Sequence, residues 1–363
     1  MRGRPAPGDR KCVQGSYFRG FGYCTAVGER ATIGDVAARA GVGVGTVSRV
    51  LNDSRNVSED TRERVLRVIR DLDYRPNRRA RALSTGRTQS IAVIAPFATE
   101  PSVVERLRGI SHVLHGSDHD LTLLDVASPD QRDQQYRAVA AGDRFDGLLA
   151  ISLAPTDDEA EQLARAGLPA VLLDCEHPDL PRVVIDDVRG GMLATRHLLQ
   201  LGHRRIAFMG DVADDRFRFS ASARRREGCE LALKAYGLAL EERYVRVGPH
   251  GRAVAHRLTD ELLALPEPPS AIVTASDTRA LGVIEAASSA GVRVPRELSV
   301  VGFDDLDVAA YVGLTTVRQP LRTSGGIAAR LLLERIGRPL GEPVEQRLEL
   351  ELVRRHTTAA AGA

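Results

Sequence analysis

From Ser90 onward, short apolar runs alternate with amphipathic stretches: "SIAVIAP", "LTLLDV", "GLLAIS", "AVLLD", "RIAFMG", "SAIVTAS" and "LSVVGFDD". Such alternation predicts βαβ units and a parallel sheet with helices on both faces. Residues 89–363 are too many for one sheet of this kind, so two lobes with a cleft between them are expected. Before Ser90 the periodicity is helical. "ATIGDVAARAGVGVGTVSRVLNDSRNVSEDTRERVLRVIRDLDY" reads as three short helices. Thr32 caps the first with Asp35 three residues on, and Gly41 ends it in a left-handed cap. Ser58 caps the third helix, Glu59 and Asp60 complement its N-terminal dipole, and Val65, Leu66, Ile69 and Leu72 form its buried face. Two helices joined by a tight turn and supported by a third outline a helix-turn-helix unit. Next, "RPNRRARALSTGRT" predicts a short basic linker helix starting at Pro76. Residues 1–30, with their Gly, Pro and Arg, read as a flexible extension without a secretory signal.

The stretch "AGVGVGTVSRVLND" raises the possibility of a phosphate-cradling loop. A dinucleotide fingerprint needs a preceding strand and a differently phased third glycine; a P-loop needs a lysine that is absent here. As a turn and second helix from about Gly43 to Asn52, the same stretch makes physical sense. Val47, Val50 and Leu51 fall on one face, and Gly45, Ser48, Arg49 and Asn52 on the other. The outer face carries donors and a cation, which suits base edges in a major groove. A three-helix protein-interaction domain is the plainer alternative.

The net charge of +2 hides an asymmetry. Met1 to Thr88 holds 18 Arg/Lys against 9 Asp/Glu, leaving 32 against 39 for the remainder. The basic quarter is where a polyanion binds. Four scattered cysteines, Cys12, Cys24, Cys175 and Cys229, suggest a reducing, cytoplasmic setting, and no apolar run is long enough for a membrane span.

The segments "TIGDVAARAGVGVGTVSRVLND" and "VSEDTRERVLRVIRDLDYRPNRRARAL" strongly resemble the lac repressor (LacI/GalR) family of bacterial transcription regulators. "HLLQLGHRRIAFMG", "ASDTRALGVIEAASSAGVRVPRELSVVGFDD" and "LTTVRQP" are similar to that family's effector domain, so the resemblance spans nearly the whole chain from Ala31. It implies a multidomain protein: an all-α helix-turn-helix headpiece and a two-lobed α/β effector domain resembling periplasmic binding proteins. The expected organisation is 1–30 extension, 31–75 headpiece, 76–88 hinge helix and 89–363 effector-binding and dimerisation domain.

Carried over residue by residue, the resemblance places base readout on Val44, Gly45 and Arg49, and phosphate contacts on Thr32, Thr46, Ser48, Asn52, Asn56, Ser58 and Thr61. It places minor-groove contacts on Asn77, Ala80 and Leu83, with Tyr74 at the groove edge. Gly43 stands where the family usually has a capping serine, and glycine is itself an acceptable cap. In the effector domain the ligand-binding positions fall on Arg225, Ser276, Asp277 and Asp304, while Ser102 and Val103 replace a pair of aromatics. The implied partners are a pseudo-palindromic double-stranded DNA operator, a small polyhydroxylated effector (sugar or nucleoside) and a second copy of the chain, with no cofactor, metal or catalytic residue.

His112, His115 and His119 have a metal-compatible spacing but suit a solvated helix better. "DDLD", Asp304 to Asp307, mimics the acidic pair of magnesium-dependent phosphoryl transfer, making a Mg-dependent phosphotransferase with an accessory helical domain the alternative from another class. "PTDDEAEQ" reads as a helix start.

Overall fold

The computed structural model describes residues 31–51, 54, 56–74, 87–141, 144–212, 217, 219–338 and 341–362. The chain divides into two units, Met1–Ala80 and Arg81–Ala363.

The first unit holds α1 (Ile33–Ala40), α2 (Val44–Leu51) and α3 (Glu59–Asp71). Thr32 and Asp35 form a reciprocal capping box at the start of α1, and Gly41 closes it at φ 66°, a conformation that costs a residue without Cβ little. Val36, Ala37, Ala40, Val47, Val50, Val65, Val68 and Tyr74 make the core. The expected apolar face of α3 is rotated: Val68 is buried and Leu66 is 37% exposed. With only three helices to cover it, α3 buries a narrow stripe. Ser58 is the cap residue of α3, but its side chain makes no cap bond; its hydroxyl donates to the Thr61 hydroxyl at 2.9 Å instead.

The second unit is built on two six-stranded sheets. The first lobe contains β1 (Ser90–Pro96), α4 (Pro101–Leu114), β2 (Asp120–Val126), α5 (Pro129–Ala140), β3 (Gly147–Ile151), α6 (Asp157–Arg165), β4 (Ala170–Leu173) and β5 (Arg182–Ile185). The chain crosses into α7 (Asp187–Gln200), β6 (Ile206–Asp211), α8 (Ala221–Ala235), β7 (Val245–Gly248), α9 (Arg252–Leu263), β8 (Ala271–Thr274), α10 (Asp277–Ser289), β9 (Ser299–Asp304), α11 (Asp307–Tyr311) and β10 (Thr315–Arg318). It returns as α12 (Leu321–Arg335) and β11 (Glu345–Leu348) in the first lobe, then crosses a third time into β12 (Glu351–Val353). The strand orders are β11-β5-β4-β3-β1-β2 and β12-β10-β9-β8-β6-β7, parallel throughout except for β10 with β12. All seven apolar runs in the sequence are strands.

Helix α4 packs on α12, and α7 on α8, through glycines at the point of contact. A Cβ on Gly191 would stand 2.0 Å from the carbonyl oxygen of Arg225, and one on Gly228 2.0 Å from that of Val188. Only glycine permits this approach, and it draws α8 against the first turn of α7. Cys175 and Cys229 are buried free thiols, and burial pushes that of Cys229 up to about 12.

Candidate nucleic-acid interface and ligand site

Helix α2 presents an outer face of the kind that the sequence pattern requires. The Gly43 carbonyl accepts the N–H groups of Thr46 (2.8 Å) and Val47 (3.2 Å), which gives Gly43 the position of a cap. Val44 is 47% exposed, Gly45 and Arg49 are exposed, and Thr46 and Ser48 are half-buried. Arg49 makes no side-chain hydrogen bond or ion pair among the described residues, so its donors face outward. Thr32 spends its hydroxyl on the capping box, donating to Asp35 at 2.7 Å. Asn56 is exposed, whereas Tyr74 has its ring in the headpiece core at 9% exposure, where burial raises its pKa. Asn52, Asn77, Ala80 and Leu83, with the extension and most of the hinge, lie outside the described residues.

In the second unit, non-glycine residues with positive φ gather at the C-terminal ends of parallel strands: Phe97 after β1, Ser152 after β3, Asp174 after β4, and Asp304 and Asp305 at β9. Strained backbone of this kind persists only where the surroundings enforce it, and the carboxyl ends of parallel strands are where open α/β sheets receive ligands. Asp304, at φ 119°, is 5% exposed.

Arg225 stands beside it on α8. Its Nε donates to Asp187 at 2.7 Å, its Nη1 donates to the Ala275 carbonyl, and its guanidinium lies 3.6 Å from the Phe303 ring centre. Asp187 opens α7, so the glycine contact between α7 and α8 is what puts this pair together. Within the first lobe, Arg106 of α4 reaches Asp174 at 3.0 Å, and at the junction between the lobes it reaches the Gln319 side-chain oxygen at 3.2 Å; Gln319 in turn donates to Asp304. A small cavity of about 10 Å³ borders Arg106, Asp174, Gln319 and Ser324. Burial raises the pKa of Asp304 to about 6, with Arg225, Gln319 and Arg106 opposing the rise. Burial works against the charge of Arg225, but Asp187, Asp304 and Asp174 more than compensate and hold it charged.

Ser276 and Asp277 serve the frame of this site. Ser276 caps α10, its hydroxyl accepting the Arg279 N–H at 3.3 Å. Asp277, fully buried, accepts the Thr316 hydroxyl at 2.6 Å and the Leu306 N–H at 2.8 Å, binding β10 to the turn that follows Asp304. Asp305 pairs with Arg318 and Arg355, both at 2.7 Å, so the middle of this acidic run is already neutralised by arginines. Ser102 lies on α4 with Val103 buried, and neither offers an aromatic face.

Sequence reasoning missed the partners: Asp187, Arg106, Asp174, Gln319, and a further group where His250 meets Asp211 at 3.0 Å and Glu100 at 3.3 Å. Only the strand ends could have pointed to them. The three histidines do not share a helix face: α4 ends at Leu114, and His119 lies 3.4 Å from Asp146. Among the described residues no group of three or more His, Cys, Asp or Glu side chains is arranged so as to hold a metal ion.

The model for bacterial regulatory proteins of the lacI family matches residues 32–77, and that for the periplasmic binding protein-like domain matches residues 195–358. The HTH-type transcriptional regulator RegA of Clostridium saccharobutylicum is 33% identical over 90% of this chain and 99% of its own length. The chain belongs to the lacI family of bacterial regulatory proteins. A solved complex of the transcriptional regulator CelR with cellobiose is 34% identical, with a TM-score of 0.67, and covers 90% of this chain and 100% of that one. A lac repressor dimer bound to operator and the anti-inducer ONPF is 27% identical, with a TM-score of 0.79, and covers 92% and 100%. This lacI-family chain is a DNA-binding transcriptional regulator with that fold, and the phosphotransferase alternative falls with the assignment. No described helix is long and apolar enough to cross a membrane.

Proposed function

We propose that this lacI-family chain is a cytoplasmic repressor that binds a pseudo-palindromic operator as a homodimer and releases or holds it according to a small, neutral polyhydroxylated effector, a sugar or nucleoside. The division into a headpiece (31–75), a hinge (76–88) and an effector domain (89–363) belongs to the same reading. Base readout falls to Val44, Gly45 and Arg49, phosphate contact to Thr32, Thr46, Ser48, Asn52, Asn56, Ser58 and Thr61, and the minor groove to Asn77, Ala80 and Leu83, with Tyr74 at the groove edge. Arg225, Ser276, Asp277 and Asp304 hold the effector, and Asp277 also braces the turn that presents Asp304.

The observation that carries this is the paired chemistry at Asp304. A carboxylate on strained backbone accepts hydrogen bonds from neighbouring hydroxyls, and a guanidinium offers donors in a fixed fork. Around it stand Arg225 and Arg106 against Asp304, Asp187 and Asp174, which leaves no surplus positive charge for an anionic ligand. The CelR complex with cellobiose supports a sugar, and the lac repressor dimer on its operator supports the assembly.

Gel-shift titrations on DNA upstream of the protein's own gene, with and without a panel of sugars and nucleosides, test the reading. Asp304→Asn is expected to bind the operator like the parent and to lose the response to the active compound. A variant that responds equally well places the effector elsewhere.

A further inference from the structure

The polar chain at the junction between the lobes gives Arg106 a role beyond its ion pair. Gln319 is 6% exposed, and its amide can be placed in two ways that differ by exchange of oxygen and nitrogen. Arginine has donors only, so the Gln319 oxygen must face Arg106 Nη2, 3.2 Å away. The amide nitrogen is then turned to Asp304 Oδ1, and a lone pair of that carboxylate is filled from within the protein. Arg106 is itself fixed. It is 3% exposed on α4 and anchored at 3.0 Å to Asp174, whose carboxylate also accepts the Ser152 hydroxyl at 2.9 Å. Its helix is locked to α12, the element that follows Gln319: a Cβ on Gly109 would stand 1.9 Å from the Arg322 carbonyl oxygen, and one on Gly325 2.1 Å from that of Arg106.

From this geometry we infer that Arg106 is a positioning residue for the ligand carboxylate Asp304, acting through the amide of Gln319, so that the first lobe sets which oxygen of Asp304 is left for a ligand hydroxyl. The inference rests on the reading of Asp304 as the effector anchor. Without Arg106, Gln319 is free to turn its oxygen towards Asp304 and repel it. With Arg106 in place, Asp304 stays an acceptor with one oxygen committed and the other open. The groups that act on Asp304 are Arg225, Arg106, Asp174 and Asp277, besides Gln319 itself.

The test needs no ligand, so its failure is separable from failure of the effector reading. The full chain is labelled with carbon-13 at aspartate carboxyls, and the Asp304 resonance is assigned by its loss in Asp304→Asn. Its midpoint, about 6 in the parent, is then followed in Arg106→Gln, Gln319→Met, the double variant and Arg106→Lys. Each single loss is expected to raise the midpoint, the double to raise it no further than the larger single, and Arg106→Lys, still donor-only, to restore the parent value. An unchanged midpoint in Arg106→Gln, or shifts that simply add in the double, would overturn the inference, the latter because Arg106 would then act on Asp304 through charge alone. Because Arg106→Gln leaves Asp174 unpaired, the same cycle is run on an Asp174→Asn background, where folding does not depend on that pair.

Discussion

Glu100 of the first lobe and His250 of the second meet at 3.3 Å, and the other nitrogen of that imidazole lies 3.0 Å from Asp211. Burial opposes charge on His250, but both carboxylates favour it and lift its pKa to about 9. A histidine whose folded pKa is raised contributes stability fully below its unfolded value of about 6.5, and that contribution is lost as pH rises through about 9. Glu100→Gln is therefore expected to bring the His250 midpoint down and to lower the melting temperature at pH 7 by the equivalent of about 1–2 kcal/mol after solvent screening, with little change at pH 10. Nitrogen-15 histidine titration and melts at the two pH values measure this; an unchanged midpoint would mean that Glu100 contributes nothing.

Arg49 is exposed on α2 with no side-chain partner among the described residues, so losing it breaks no bond among them. Arg49→Ala is expected to weaken operator binding by about 1–3 kcal/mol and to leave non-specific DNA binding nearly intact. Anisotropy titrations on operator and on scrambled DNA at one salt concentration separate the two. Parallel losses would make Arg49 a phosphate contact.

Asp277 and Asp304 should behave oppositely on removal. Asp277→Ala strands the Thr316 hydroxyl and the Leu306 N–H in the interior and is expected to cost about 2–4 kcal/mol, a cost that shrinks as pH rises because burial also holds the pKa of Asp277 well above the usual carboxylate range. Asp304 has a raised folded pKa, so its contribution is present below about 3.9 and is lost as pH rises through about 6. Asp304→Asn should accordingly melt higher relative to the parent at pH 8 than at pH 5. Calorimetry at both pH values decides, and a pH-independent difference counts against burial as the cause.

Gly228→Ala drives a methyl into the Val188 carbonyl. The helices must part, at a cost of about 1–3 kcal/mol, and Arg225 leaves Asp187. Effector affinity should fall more than tenfold while effector-free operator binding holds. Isothermal titration with the effector and a gel shift without it are the paired measurements.

These four sites show what was readable beforehand. The central strands were legible because parallel strands covered on both faces are continuous apolar runs, as in "SIAVIAP" and "SAIVTAS". Strands β11 and β12 lie in "EQRLELELV", where charge alternates with apolar residues at sheet edges, and no single run marks them. Arg225 and Asp304 came from resemblance. Gln319, Arg106 and Asp187 are as far as 213 residues apart in the chain, and only the crossings between the two lobes bring such positions together. Asp277 shows the converse: motif placement put it with the ligand residues, and its buried contacts make it a brace.

The three crossings between lobes constrain how the chain can be made. Synthesis runs from the N-terminus at about 5–20 residues per second, and domains ordinarily fold as they emerge. The headpiece can do so. The first lobe cannot, because its helix α12 and edge strand β11 come from Leu321–Arg335 and Glu345–Leu348, after all of the second lobe except β12 has been translated. Strand β5 waits through that interval with its Arg182–Ile185 edge unpaired. A stop codon just before β11 would thus cripple the lobe encoded first, and nascent chains should depend on chaperones in proportion to translational delay in the second lobe.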